Sequence, residues 1–132
     1  MIRAPDDPRR ELIATALSLQ TGSPVDAVIV LWERLGPELL VIVGKGGFKA
    51  LYTRSIYLNS ARYPWLAHDM SLPIDGHLFP ELKRRLQTQD EALALQGSVA
   101  LLTTFVDTLS SLIGESMTDH ILRSAWRLNA VN

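Results

Sequence analysis

The fold of this chain is decided by residues 88–114, TQDEALALQGSVALLTTFVDTLSSLIG. Thr88 and Glu91 stand at the spacing of a capping box, and Gly114 is a residue type that commonly ends helices. Between them the apolar side chains recur every three or four positions, at Leu101, Leu102, Phe105, Val106, Leu109, Leu112 and Ile113. This period predicts one long helix from about residue 89 to 113 that forms the centre of a helical bundle.

The end of this helix has a near copy earlier in the chain. Residues 111–114, SLIG, precede the pair Arg123-Ser124, and residues 41–44, VIVG, precede the pair Arg54-Ser55. In both places an apolar helical segment ends on Gly and a second helix begins within a few residues, although the spacing from Gly to Arg differs by one residue. The pattern predicts two related helix–Gly–helix halves around one core, with a chance match in a Leu-rich chain as the alternative.

Other start and stop signals predict the remaining helices. Asp7-Pro8 and Ser23-Pro24 each combine a cap residue with a proline at the first helical position. The apolar period then predicts a helix over 48–62, a short one carrying Leu78, Phe79, Leu82 and Leu86, and a last helix capped by residues 116–119. That last helix is predicted to bury Met117, Ile121, Leu122, Ala125 and Trp126.

Two segments interrupt this simple pattern. Gly36-Pro37 predicts a break or kink, since proline lacks the N–H and restricts the residue before it. Residues 39–43 fit a helix or a buried strand, and we favour helix because no second strand candidate exists to pair with them. We therefore expect an all-α, single-domain bundle of five to six helices over 1–132, with 1–6 as a flexible end and 64–76 as an ordered connector.

The composition excludes several classes of protein. With 132 residues, of which 47% are hydrophobic and 20% charged, the chain can bury a core and is not disordered. Thirteen Lys and Arg against fourteen Asp and Glu leave a formal charge of −1, which gives no general attraction to nucleic acid or to an anionic membrane. The absence of Cys removes disulfides and thiolate metal sites. Since no apolar run approaches the roughly 20 residues of a membrane span, we expect a cytoplasmic protein.

The glycine-rich run Gly44-Lys45-Gly46-Gly47 invites a phosphate-binding interpretation. Backbone N–H groups of such a loop, ahead of a helix, can bind an anion with Lys45 as the counter-charge. A Walker loop, however, requires Ser or Thr after the lysine, and Gly46 stands there. We interpret the run as a helix terminator and tight turn, with a weak anion site as the alternative.

The sequence contains few residues in patterns typical of catalytic or metal-binding sites. His68-Asp69 and Asp75 with His77 supply residue types that bind metals or transfer protons, but a third firm ligand is missing. A Gly-x-Ser-x-Gly motif and Cys nucleophiles are both absent from the sequence. No catalytic, cofactor-binding or metal-binding residue is assigned, and no cofactor is expected.

The candidate contact residues are basic and aromatic. For Arg54 and Arg123 we favour a structural use at helix ends, with a partner contact as the alternative. Tyr57 falls opposite the apolar stripe of its helix and Trp65 lies in the connector, so both are expected to be the aromatics least needed for the core. The full set of candidate ligand or partner contacts is Lys45, Arg54, Tyr57, Trp65, His68 and Arg123.

Several short motifs resemble those of a group of small all-helical bacterial domains of unknown function. They are residues 47–55 (GFKALYTRS), 63–66 (YPWL), 112–115 (LIGE) and 122–126 (LRSAW), within the last two-thirds of the chain. The resemblance implies a bacterial, cytoplasmic, regulatory protein, and it carries over no functional residue.

Together these features predict a non-enzymatic protein-interaction or regulatory module that pairs with itself, as a homodimer, or with another protein. The alternative is a small-molecule sensor with an anionic ligand, whose pocket lies between the Gly44 turn, Arg54 and the 64–76 connector. An enzyme is third, since it requires the His and Asp side chains of that connector to converge in space. Neither nucleic acid nor a membrane is an expected partner.

Overall fold

The described part of the chain consists of helices joined by short turns. The computed structural model describes residues 8–67 and 79–128, and these contain five α-helices, one 3₁₀ turn and no strand. The helices are α1 (Pro8–Ser18), α2 (Pro24–Ser60), α3 (Phe79–Gln87), α4 (Glu91–Ile113) and α5 (Glu115–Trp126), and the 3₁₀ turn is Pro64–Leu66. The predicted all-α single-domain bundle is confirmed. The expected flexible end at 1–6 lies outside the described residues.

The predicted cap of α2 is confirmed, whereas the predicted caps of α4 and α5 are wrong. Ser23 Oγ accepts a hydrogen bond from the Asp26 backbone N–H at 3.1 Å, as its motif predicts. At α4 the cap is Asp90, whose carboxylate accepts from the Leu93 N–H at 2.8 Å, and the box predicted from Thr88 is wrong because Asp90 lies next to the first helical residue. The cap predicted within 116–119 is also wrong, because α5 already begins after Gly114. Met117, which was predicted to be buried, lies in the first turn of α5 and is 48% exposed.

The interruption of α2 lies at Gly44 and not at Gly36-Pro37. Gly44 has φ 77° and ψ 171°, a conformation essentially restricted to glycine, and it divides α2 into an N-arm (24–43) and a C-arm (45–60). The break predicted at Gly36-Pro37 is wrong. Proline leaves the Glu33 carbonyl without its helical hydrogen-bond donor, but Pro37 and Glu33 both lie on the exposed face, where water can satisfy that carbonyl. Residues 39–43 are helical, as we favoured.

The two halves of the chain repeat one three-helix unit. Gly114 has φ 93° and ψ 155°, nearly the conformation of Gly44, which precedes it by 70 residues. When the two glycines are aligned, α1 corresponds to α3, the N-arm to α4 and the C-arm to α5, and the buried positions coincide. The matched buried residues are Leu31, Trp32, Leu35, Leu39, Phe48, Leu51, Tyr52, Ser55 and Ile56 with Leu101, Leu102, Phe105, Leu109, Thr118, Ile121, Leu122, Ala125 and Trp126.

This alignment corrects one part of the predicted repeat. In the glycine register Arg54 corresponds to Ser124, and Arg123 corresponds to Thr53. The two Arg-Ser pairs therefore do not occupy equivalent positions. The repeated feature is the glycine break together with the buried stripe on each side of it.

The short first helix of each half packs against the long helix of the other half. Arg9 of α1 forms an ion pair with Asp107 of α4 at 2.9 Å. In the corresponding place α3 packs on the N-arm, where the ring of Phe79 lies 3.7 Å from the position of a Cβ on Gly36. Because each half covers the other, the two units share one core.

The helix that follows each glycine also crosses to the opposite half. Trp126 of α5 is buried and its Nε1–H donates to the Leu31 carbonyl of the N-arm at 3.0 Å. Asn59 of the C-arm donates to Thr104 Oγ1 of α4, also at 3.0 Å. Five aromatic rings with centroids 5.0–6.4 Å apart fill the centre between these helices: Trp32, Phe48, Tyr52, Phe79 and Phe105.

Candidate functional site

The outer face of the C-arm carries an open basic groove. Its floor is made by the small residues Gly46 and Ala50 and by Thr53, and its sides by Lys49, Arg54 and Tyr57, around a space of about 580 Å³. These positions follow one another at helical spacing, so a single face of one helix presents them all. We call this face the basic groove. It contains no acidic side chain among the described lining residues.

The segment that carries the groove contains basic residues and no acidic residue. None of the fourteen acidic residues of the chain lies between residues 39 and 68, whereas this stretch contains Lys45, Lys49, Arg54 and Arg62. Neither Lys49 nor Arg54 forms an ion pair with any of the described residues. The remaining chain therefore has an excess of acid, although the total charge is only −1.

The groove brings together two of the predicted contact residues. Arg54 is exposed. Tyr57 is 76% exposed, so the prediction that it is not needed for the core is confirmed. Lys45 is also exposed and begins the C-arm, next to the Gly44 turn. Of the pocket predicted between the Gly44 turn, Arg54 and the 64–76 connector, only Arg54 lines the groove. Gly44 and residues 64–67 do not line it, and the rest of the connector lies outside the described part.

The other predicted contact residues are placed elsewhere. Arg123 pairs with Asp119 one turn away on α5 at 2.9 Å, which is the structural use that we favoured. Trp65 is half-buried and its ring packs over Gly97 of α4, so the expectation that it is among the aromatics least needed for the core is wrong. His68, like Asp69 and His77, lies outside the described residues.

A second opening lies between α1, α2 and α4, and the sequence analysis missed it. It has a volume of about 440 Å³, which is in the range of small-molecule sites. Its walls come from Ala14 and Leu17 of α1, Ala27 of the N-arm, and Leu95 and Val99 of α4. Further lining residues are Arg10, Ser18, Gln20, Gly22, Ser23 and Pro24. We call it the α1 pocket. In the sequence Leu95 and Val99 are simply two more apolar residues of α4, and only the structure shows that they are partly exposed.

Charge clusters on the described surface are used for structure. Glu81 of α3 accepts hydrogen bonds from Arg84 and Arg85 at 2.6 and 2.8 Å. These guanidinium groups lower the pKa of Glu81 to about 2, and Arg84 contributes most. Over residues 8–67 and 79–128 no group of three or more His, Cys, Asp and Glu side chains is arranged to hold a metal ion. The exposed His120 stands apart from both openings.

One described helix has the length and composition of a membrane span. It is α4, with 23 residues; its most apolar window of 18 residues has a mean hydropathy of 1.4, and half of that window is buried inside the bundle. The buried half packs mainly on α2, as expected for the central helix of a core.

Comparison with known proteins does not add to this geometry. No protein-family model, no curated protein and no solved structure matches the chain. The functional interpretation therefore depends on the basic groove and the α1 pocket themselves.

Proposed function

We propose that this chain is a non-enzymatic protein-interaction module that self-associates through the basic groove. The observation that carries the proposal is the side-chain chemistry of the groove, in which an exposed tyrosine and an exposed arginine flank a floor of small residues. Tyr and Arg are the residue types that most often dominate binding energy in protein interfaces, and a floor of Gly and Ala lets a partner approach the helix closely.

The segregation of charge supports a second copy as the partner. The groove lies in a stretch with four basic and no acidic residues, and all fourteen acidic residues lie elsewhere on the same chain. Glu33 and Glu91, for example, are exposed and form no ion pair with any of the described residues. A near-neutral protein whose charges are separated in this way attracts its own copies, because a basic face of one molecule can meet an acidic face of another.

Exposed apolar side chains supply the second component of an interface. Seven large hydrophobic residues of the described part are at least 45% exposed: Leu19, Val41, Ile42, Tyr57, Leu58, Leu112 and Met117. Tyr57 and Leu58 belong to the C-arm, and Val41 and Ile42 lie at the end of the N-arm, just before the Gly44 break. Scattered exposed apolar residues are ordinary, but here four of the seven fall within the 18 residues from 41 to 58, the segment that carries the groove.

Sedimentation velocity of the full chain tests the proposal. We expect the sedimentation coefficient to rise with concentration between about 5 and about 500 µM, which spans weak to moderate self-association. Raising the salt from about 0.05 to about 0.5 M is expected to weaken the association, since exposed charges are screened over that range. Tyr57→Ser is expected to raise the dissociation constant about thirtyfold, corresponding to about 2 kcal/mol for a residue at the centre of an interface.

Leu19→Ser serves as the matched control, because Leu19 is 60% exposed but does not line the groove. It is expected to leave the dissociation constant unchanged. A wild-type protein that stays monomeric over the whole concentration range would contradict self-association. A dimer that Leu19→Ser weakens as much as Tyr57→Ser does would contradict the placement of the interface in the groove.

The regulatory role and the cytoplasmic location belong to this proposal as well. A module that brings its own copies together through an exposed face is suited to a regulatory role. Localisation of a tagged full-length chain in its native cell tests the location, and a membrane-associated pool would contradict it.

A further inference from the structure

In the internal repeat, the α1 pocket of the first half corresponds to a place in the second half that a tryptophan side chain occupies. Trp65, in the turn after the C-arm, packs over Gly97 of α4, where a Cβ would lie only 2.6 Å from the Cη2 and Cζ2 atoms of its indole. Tyr63 lies beside it, with its ring centroid 5.9 Å from that of Trp65. In the second half an indole thus occupies the surface of the long helix at its glycine.

The corresponding surface of the first half is open. In the glycine register Gly97 of α4 corresponds to Ala27 of the N-arm. Ala27 lines the α1 pocket, whose other walls are α1 and α4. The counterpart of α1 is α3, and α3 packs against the turn that carries Trp65. The α1 pocket is therefore the equivalent of the indole site, at about 440 Å³, and its walls have the small and aliphatic residues that suit a planar ring.

The rim of the α1 pocket carries a charge that has no ion-pair partner among the described residues, whereas Arg84, the counterpart of the pocket residue Ala14, is paired with Glu81. Arg10 lines the α1 pocket, and its counterpart in the second half is Pro80. Arg10 forms no ion pair with any of the described residues. The hydroxyl of Ser18 and the amide of Gln20 already donate to backbone carbonyls of α1, so Arg10 is the group at the rim that remains for a ligand.

We infer that the α1 pocket binds a small aromatic carboxylate. The aromatic ring of the ligand packs over Ala27, as the indole of Trp65 packs over Gly97. The ligand carboxylate accepts two hydrogen bonds from the Arg10 guanidinium. This inference does not depend on self-association, because the pocket lies on α1 and α4 and the basic groove lies on the C-arm.

Chemical-shift mapping with indole-3-acetate tests the inference. We expect saturable shifts of backbone amides at Ala14, Leu17, Ala27, Leu95 and Val99 at ligand concentrations up to about 5 mM, a range suited to a small ligand of modest affinity. Arg10→Gln is expected to weaken indole-3-acetate about tenfold, as for the loss of one charge-assisted contact, and to leave uncharged indole unaffected. Hexanoate, which has the carboxylate without a ring, is expected to bind more weakly than indole-3-acetate.

A pocket-filling variant and its matched control locate the site. Ala14→Phe places a ring inside the pocket from an exposed position on α1, so the fold tolerates it, and binding of indole-3-acetate is expected to be lost. Ala50→Phe introduces the same ring on the basic groove and is expected to bind as the wild type does. The inference is overturned if the shifts do not saturate, if they map to residues outside the α1 pocket, or if Ala14→Phe binds as well as Ala50→Phe.

Discussion

Gly97→Ala is the substitution whose effect the structure specifies most completely. Alanine is a better helix former than glycine by about 1 kcal/mol, so at an open helical position the change stabilises the protein. At Gly97 the new Cβ would lie 2.6 Å from two ring atoms of Trp65 and 3.4 Å from Tyr63, a separation that forces the indole to move. Overpacking of this kind costs about 1–3 kcal/mol. We therefore expect a net loss of up to about 2 kcal/mol in the free energy of unfolding, as the packing cost exceeds the gain in propensity.

The sign of the effect reverses once the indole is removed. In a Trp65→Ala background the same Gly97→Ala change has nothing large to displace, and we expect it to stabilise the protein by about 0.5–1 kcal/mol. Gly46→Ala is the control in the wild-type background, because a Cβ there meets no atom within 4 Å, and it is also expected to stabilise. Urea denaturation followed by circular dichroism at constant m-value measures the wild type, the two single variants and the double variant of Gly97 and Trp65, and Gly46→Ala. Stabilisation by Gly97→Ala in the presence of Trp65 would refute the packing of the indole on α4.

Three further predictions follow from the breaks, the core and the ion pairs. Ala at Gly44 or Gly114 is expected to lower the free energy of unfolding by about 1–3 kcal/mol each, since both backbones adopt a conformation that other residues avoid; similar stability to the wild type in urea denaturation would contradict this. Trp126→Phe is expected to cost about 1–3 kcal/mol, because it removes the buried hydrogen bond to the Leu31 carbonyl, and an unchanged urea midpoint would argue against that bond. Glu81→Gln is expected to cost about 1 kcal/mol or less at pH 7, because two arginines of its own helix stabilise the ionised carboxylate. Since the pKa of Glu81 falls from 4.5 to about 2 on folding, the stability difference between Glu81→Gln and the wild type is expected to persist above pH 4.5 and to disappear as the pH falls toward 2. A difference that persists at pH 2 in urea titrations would contradict this.

The fold was largely predictable because its signals are local. Caps and apolar periodicity identify where Ser23 begins α2 and where the stripe of α4 must be buried, and glycine marks both breaks. The exposure of Tyr57 follows from the same periodicity, since it falls opposite the buried stripe. Features that depend on a single helix could therefore be predicted from the sequence.

Features that depend on contacts between distant segments were not. The continuity of the helix through Pro37 depends on which face of α2 meets solvent, and that is decided by the packing of other helices. Trp65 is held by Gly97, and the α1 pocket is formed by residues of α1, α2 and α4 that are up to 89 positions apart, from Arg10 to Val99. The true register of the repeat emerges only from the burial pattern, because few residue identities survive between the halves.

The most direct test of the central claim, self-association through the basic groove, is an isotope-filtered nuclear Overhauser experiment on a mixture of labelled and unlabelled full-length chains. Such an experiment records only contacts between copies. The account predicts intermolecular contacts to the Tyr57 ring and to the Lys49 and Arg54 side chains. Intermolecular contacts confined to other surfaces, or none at a concentration where the protein is fully associated, would contradict it.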